Sequence, residues 1–346
     1  MTVMTSVWGE LLGSELPVVA APMAGGPGVP ALVAAVTSAG GFAFLAAGYK
    51  TPEAMRTEMD QLRRHAIPFG VNVFVPNAVP IDVDAFRRYA RDLAAEARPY
   101  GIELAADPVV DDDHWNDKID LLLQDPVPVV SFTFGLPGKA VVSALRRAGS
   151  RVLVTVTNEA EARAAREQGV DGLVAQGADA GGHSGTHTPG EPATPVTLER
   201  LTGQVVRATG LPVVVAGGVT EARQVRDLIG AGASAVMVGT LLLRTDESGA
   251  SQPHKDALVD PAFTETVMTH AFTGRPARAL RNGFVDRHQA GAPLGYPAVH
   301  HLTRPLRAAA VAAGDTDRAH LWAGTGYRRA PAGPARDVVT ALASAL

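Results

Sequence analysis

Apolar residues gather in eight short runs: 17–22 (PVVAAP), 42–47 (FAFLAA), 69–74 (FGVNVF), 129–134 (VVSFTF), 152–156 (VLVTV), 172–176 (GLVAQ), 212–216 (PVVVA) and 235–239 (AVMVG). None alternates apolar with polar positions, as a strand with one wet face does. Continuous runs of this length predict strands buried on both faces of a parallel sheet. Segments with helical periodicity lie between and beside them, at 30–39, 52–65, 84–100, 139–149, 158–169, 198–209 and 221–230. Gly40, Gly149 and Gly169 supply stop signals after three of these. Strands that alternate with helices make βαβ units. Eight such strands predict an α/β fold closed into a (β/α)₈ TIM barrel. An open doubly wound sheet is the alternative. Against it, the first strand–helix turn (APMAGGPGVP) holds no G-x-G-x-x-G, and no acidic residue ends the second strand.

The pattern changes after Thr240. Residues 241–329 are richer in His, Arg, Pro and Gly and show no clear strands, which predicts a mainly helical lid. An amphipathic stretch at 335–346 reads as the last barrel helix. The expected division is therefore a barrel of residues 1–240 plus about 330–346, with the lid between.

Composition narrows the classes. Of 346 residues, 46% are hydrophobic and 19% charged, enough apolar material for a large core. The net charge of −4 gives no basic surplus to neutralise a run of phosphates, so nucleic acid is not an expected partner. With no cysteine there is no thiolate nucleophile, disulfide scaffold or zinc–cysteine site. Residues 16–49 carry no charge, but Pro17, Pro22, Pro27, Pro30, Gly25, Gly26, Gly28, Gly40 and Gly41 would interrupt a lipid-exposed helix, so no membrane span is expected there. The first residues lack a basic region and include Glu10 and Glu15, so a signal peptide is not expected and the cytoplasm is the expected location.

The candidate chemistry sits where barrel enzymes keep it, at the carboxyl ends of the strands. The seventh and eighth runs lead into Ala216-Gly217-Gly218-Val219 and Val238-Gly239-Thr240. Bare backbone amides there, a threonine hydroxyl and a short helix start suit a phosphate group. These loops do not separate flavin mononucleotide (FMN) from a sugar phosphate. Asn72 and Gln176 end the third and sixth runs, each with an uncharged donor and acceptor suited to the mixed edge of a flavin ring or to capping a turn. The loop 176–187 (QGADAGGHSGTH) carries His183 towards the barrel mouth past Gly181 and Gly182. An imidazole there can donate a hydrogen bond or take a proton. His187 adds a second imidazole, but a glycine-rich loop does not hold two ligands in register and no third is evident, so no metal site is expected. Asp111, Asp112, Asp113 and His114 read as a solvated helix start, and His300 and His301 as surface or lid residues.

Taken together, APMAGG at 21–26, FGVNVF around Asn72, SFTFGLP at 131–137, QGADAGGHSG around His183, GYP at 295–297 and LWAG at 321–324 resemble the class I nitronate monooxygenases. The sequence departs from that family's pattern at Asp179, usually Glu, and at Ser184, often Arg. The resemblance implies an FMN enzyme, barrel plus lid, that oxidises alkyl nitronates such as propionate 3-nitronate with O₂ to a carbonyl compound and nitrite. Flavin contacts would fall on Pro22, Met23, Asn72, Gln176, Gly181, Gly217, Gly218, Gly239 and Thr240. His183 would be the active-site histidine, and Tyr296 a substrate-pocket tyrosine from the lid. An NADH-dependent FMN quinone or enoyl reductase on the same barrel is the alternative. A non-redox lyase or isomerase acting on a sugar phosphate and a ligand-binding regulator are further ones; no lysine ends a predicted strand, which argues against a Schiff-base aldolase. A monomer and a homodimer are both compatible with the sequence.

Overall fold

The computed structural model describes residues 7–76, 80–191 and 196–346. The start of the N-terminal segment read for targeting, residues 1–6, lies outside them. Eight parallel strands close a barrel: β1 (Val18–Ala20), β2 (Phe42–Ala46), β3 (Gly70–Phe74), β4 (Val129–Thr133), β5 (Arg151–Val156), β6 (Gly172–Gln176), and, past a two-residue strand β7 (Gly182–His183) outside it, β8 (Val213–Ala216) and β9 (Ala235–Val238). Pairing of Val18 with Val236 and Ala20 with Val238 brings β9 back onto β1 and seals the ring.

All eight apolar runs become barrel strands, and the two-sided burial explains why they do not alternate. Val18 and Ala20 face outward, into a layer shared with Leu32 and Val36 of the first crossover helix. Val19 points inward, where it meets Phe42, Phe44, Val129, Leu153, Val174, Val214 and Met237. A short helix α1 (Val7–Leu12) adds Leu11 and Leu12 to this interior cluster. Leu11 comes up against Gly172 at the start of β6, so α1 closes the amino end of the barrel. Gly70 has no side chain because a Cβ there would overlap the Phe44 ring.

Around the strands run α2 (Pro30–Ser38), α3 (Pro52–Arg64), α4 (Val83–Ala97), α5 (Trp115–Gln124), α6 (Lys139–Arg147), α7 (Glu159–Glu167), α8 (Leu198–Thr209) and α9 (Ala222–Gly230). Thr51, Asp82, Asn158 and Thr197 cap four of them through side-chain oxygens that accept first-turn amides. Helix α5 was not among the predicted helices, although it starts directly after the acidic stretch read as a helix start.

Beyond Thr240 come α10 (Gln252–Ala257), β10 (Thr266–Thr269), β11 (Ala277–Leu280), α11 (Gly283–His288) and α12 (Ala298–Ala312). Here the expectation of no strands fails: β10, β11 and β7 form an antiparallel sheet in the order β10-β11-β7. Each of these strands has at most four residues, and Thr266, Thr269 and Arg278 leave no apolar run to read. Finally α13 (Ala335–Ala343) packs against α2 and α9 and completes the outer ring.

Helix α4 turns from the barrel to the lid. Its Phe86, Tyr89, Leu93 and Ala97 share one buried cluster with Phe272, Phe284, Val299, Leu302 and Leu306. Tyr89 donates to the Ala271 carbonyl at 2.6 Å. Glu96 binds Arg287, His288 and Arg318 at 2.7, 2.9 and 2.6 Å. Burial alone would raise the Glu96 pKa, but its hydrogen bonds to these three side chains and the charge of the two arginines outweigh that and bring it down to about 2. Among the described residues no helix is long and apolar enough to cross a membrane.

Candidate active site

A cavity of about 740 Å³ opens at the carboxyl ends of the barrel strands and continues beneath the lid. That is within the size range of small-molecule sites. Its wall brings together Pro22 and Met23 after β1, Asn72 on β3, Gln176 at the end of β6, Gly181 and His183, Gly217 and Gly218 after β8, and Gly239 and Thr240 after β9. The lid contributes Thr273, His300, Arg307, His320 and Trp322.

The two glycine loops sit side by side. Gly217 and Gly218 take φ of +124° and +73°, conformations that favour glycine. A Cβ on Gly218 would also press against Asp179 at 2.8 Å. Among the described residues, neither the Gly218 nor the Thr240 amide donates to a protein acceptor. The short helix expected after β9 is a single 3-10 turn, Thr240–Leu242, and the start of α9 is already capped by Glu221 and Gln224. What these loops offer an anion is therefore free amides more than a helix dipole. The Thr240 hydroxyl accepts the Gly324 amide at 3.0 Å, which ties this loop to the lid.

The two amides behave differently. Asn72 is buried, and its Nδ2 donates to Ser131 Oγ at 2.9 Å and Thr133 Oγ1 at 3.0 Å, leaving Oδ1 for the cavity. Gln176 turns back on the neighbouring loop. Its Nε2 donates to the His183 carbonyl at 3.1 Å and its Oε1 accepts the Gly185 amide at 2.6 Å, so it shapes the histidine loop from below. Gly181 is required by the lid, since a Cβ there would meet the Gly324 nitrogen at 2.5 Å.

Strand β7 joins β11 in register Ala277↔His183, which fixes the height of the imidazole. The ring packs beside Phe134, Tyr296 and Trp322, with centroids 5.6, 5.8 and 5.4 Å away. Its Nε2 lies 3.0 Å from Thr273 Oγ1. Enclosure in the cavity, with Arg275 and Arg307 nearby, pushes the His183 pKa down to about 3, so the ring is neutral at ordinary pH. Tyr296 stands behind His183 and Phe134, with its hydroxyl 3.5 Å from that of Tyr49.

Arg275 and Arg307 are features the sequence reading missed. Arg275 is fully buried, stacks 3.9 Å over the Phe134 ring and donates to the carbonyls of Ser184 and Thr186. Arg307 on α12 donates to Thr303 Oγ1 at 2.9 Å and contacts His300 Nδ1 at 3.1 Å. Neither has a carboxylate partner among the described residues. Desolvation lowers both to about 10, which leaves them charged. Arg307 lines the cavity beside the neutral imidazole, while Arg275 lies outside the lining with the Glu161 carboxylate acting on it, so the positive charge at this end of the cavity comes from Arg307.

Of the two readings for His300, surface or lid, the second fits: it is buried on α12, stacks on Tyr49 at 4.1 Å, and burial with Arg307 holds it neutral. His301 pairs with Asp111 at 2.9 Å, linking α12 to the acidic stretch. That stretch is not wholly solvated, since Asp113 pairs with the fully buried Lys118 at 2.7 Å and accepts the Tyr49 amide at 3.0 Å. His187 reaches the Thr155 carbonyl at 3.0 Å and ties its loop to β5. Lys50, in the loop after β2, lines the cavity but pairs with Glu58 at 2.6 Å.

A closed parallel barrel whose carboxyl end holds free amides, a neutral imidazole and a buried cation around one cavity has the layout of a barrel enzyme acting on a small molecule. The family model for nitronate monooxygenase matches residues 9–344, and the chain belongs to the nitronate monooxygenase family. A probable nitronate monooxygenase of Staphylococcus aureus is 33% identical over 96% of this chain and 94% of its own length. Among solved structures, nitroalkane oxidase from Streptomyces ansochromogenes is 49% identical with a TM-score of 0.92, covering 99% of this chain and 98% of that one. FabK from Thermotoga maritima is more distant, at 25% identity and a TM-score of 0.74 over 98% and 95% of the two chains.

Proposed function

We propose that the protein is an FMN-dependent enzyme that oxidises alkyl nitronates, propionate 3-nitronate among them, with O₂ to a carbonyl compound and nitrite. The observation that carries this reading is buried Arg307 on the cavity wall beside neutral His183. A nitronate is a small anion, and Arg307 gives this wall positive charge, with Arg275 stacked on Phe134 outside the lining. A carboxylate at the far end of the substrate would find Arg304, which lines the outer cavity and is exposed.

The residues fit the flavin. Gly218 and Thr240 have free amides that would hold a phosphate, while Asn72 Oδ1 offers an acceptor in an otherwise largely apolar wall beside Met23. FMN held there would supply the electron transfer from substrate to oxygen. The chain holds the ring and phosphate, sets the nitronate near His183, and excludes bulk water with Phe134, Trp322 and the lid.

The test is product analysis. Purified protein with propionate 3-nitronate in air is expected to release nitrite while consuming O₂. No nitrite, with rapid flavin reduction by NADH instead, would replace this reading with the reductase.

A further inference from the structure

We propose that Tyr49 is a further substrate-contacting residue, whose hydroxyl donates a hydrogen bond to an oxygen of the anionic nitro group beside Arg307. The proposal rests on the reading above, in which the cavity binds a nitronate, and it concerns a residue outside the motifs that carry the family resemblance. Tyr49 follows β2 at the carboxyl end of the barrel and lines the cavity. Its ring stacks on His300 with centroids 4.1 Å apart and meets Phe74 edge-on at 5.5 Å. Its backbone takes φ of +67°, a left-handed conformation unusual for a bulky residue. The Tyr49 amide donates to Asp113 Oδ1 at 3.0 Å, and the other oxygen of Asp113 pairs with the fully buried Lys118 at 2.7 Å. Strain of this kind persists where the surroundings over-determine it, and it gathers at ligand sites.

The protons of two hydroxyls have to be accounted for. Tyr296 donates to Tyr49 across 3.5 Å, and neither hydroxyl has another polar partner among the described residues. A contact between two hydroxyls uses one of their two protons. The second proton belongs to Tyr49, and Tyr49, not Tyr296, lines the cavity. An enclosed hydroxyl needs an acceptor for its proton, and the described residues offer none. Burial raises the Tyr49 pKa to about 12, so the proton stays in place at ordinary pH.

Arg307 selects what that acceptor is. Its Nε and Nη2 are occupied by Thr303 and His300, while Nη1 has no protein partner among the described residues and the side chain lines the cavity. Arg307 reaches the Nδ1 of the same His300 ring that lies flat against Tyr49, and its charge acts on the Tyr49 hydroxyl. Two donors, one of them charged, therefore border one stretch of wall. An anion with two oxygens on one nitrogen, a nitronate or nitrite, satisfies both at once. An alkyl group in the same place would leave both donors unsatisfied, which fixes the nitro end of the substrate here.

The experiment is equilibrium dialysis of nitrite against the FMN-loaded protein, which needs no turnover. The wild type is expected to bind nitrite. Tyr49→Phe keeps a ring against His300 and should bind it about tenfold more weakly, the worth of one hydrogen bond to a charged group. Tyr296→Phe removes only the proton given to Tyr49 and should weaken binding less. In parallel, KM for propionate 3-nitronate should rise in Tyr49→Phe by a similar factor with kcat little changed, because the charge on the nitro oxygens is already present in the bound substrate. A wild type that binds no nitrite would overturn the proposal, even if Tyr49→Phe failed to fold. So would wild-type nitrite affinity in a folded Tyr49→Phe, or a larger loss in Tyr296→Phe. Nitrite binding that depends on Tyr49, in a protein that oxidises no nitronate, would sink the functional reading and leave the binding role standing.

Discussion

At the residue scale the site is an exercise in keeping groups neutral or charged against their surroundings. Burial and neighbouring cations keep His183 and His300 unprotonated, while Arg275 and Arg307 retain charge because guanidinium starts so far above neutrality. Replacing His183 by Asn is expected to cut turnover by about a hundredfold or more, the low end of a general acid–base contribution, with flavin content unchanged. Steady-state rates and the flavin-to-protein ratio check this; equal turnover would remove His183 from the chemistry. Of the eleven site residues singled out from the sequence, ten line one cavity, and Tyr296 packs against His183 and Phe134 outside its lining. Glycines after the last two strands and a histidine in a long loop leave marks a reader can see. Arg275, Thr273 and Arg307 left none, because the burial of an arginine or the partner of a threonine depends on lid packing between residues far apart in the chain. Gln176 shows a related limit: its position was legible, but its bonds to the His183 loop were not.

At the element scale the barrel follows from strand runs with no polar face, and it was legible for that reason. Where a strand is short and edged with charge, as in β10 and β11, the pattern disappears and only tertiary pairing reveals it. The barrel interior is packed to its limit at Gly70. Gly70→Ala is predicted to force the Phe44 ring aside and cost about 1–3 kcal/mol, the usual penalty of overpacking. Urea unfolding measures this, and an unchanged midpoint would show that the interior has slack. Helix α4 illustrates a signal that points two ways. Its periodicity predicted a helix correctly, but its apolar face belongs to the lid cluster, and nothing in the period says which body a face will meet.

At the scale of the whole molecule, barrel and lid meet across a cavity lined by histidines that cannot easily take a proton. His254 is held at about 4, chiefly by burial, and His300 and His320 lie well below the usual value for the same cause. In the unfolded chain each titrates near 6.5, so below that pH the unfolded state gains protons that the folded state refuses. Stability is therefore complete above about pH 6.5 and falls as pH drops, by up to about 1.4 kcal/mol per pH unit for each such histidine. Glu96, held down to about 2, adds its own loss only below the ordinary carboxylate value of 4.5. Thermal unfolding between pH 7 and pH 5 should show the midpoint falling; a flat profile would mean that these histidines accept protons in the folded protein.

The central claim is that the cavity seats a flavin whose phosphate lies on the amides beside Gly218 and Thr240 and whose ring faces an anionic nitro compound held near His183. The most direct measurement is the visible absorbance of the purified, FMN-loaded protein as propionate 3-nitronate is added without oxygen. The yellow absorbance should fall with substrate and return when air is admitted, with nitrite appearing as it returns. A protein that takes up no FMN, or whose flavin absorbance is indifferent to the nitronate, would contradict the account.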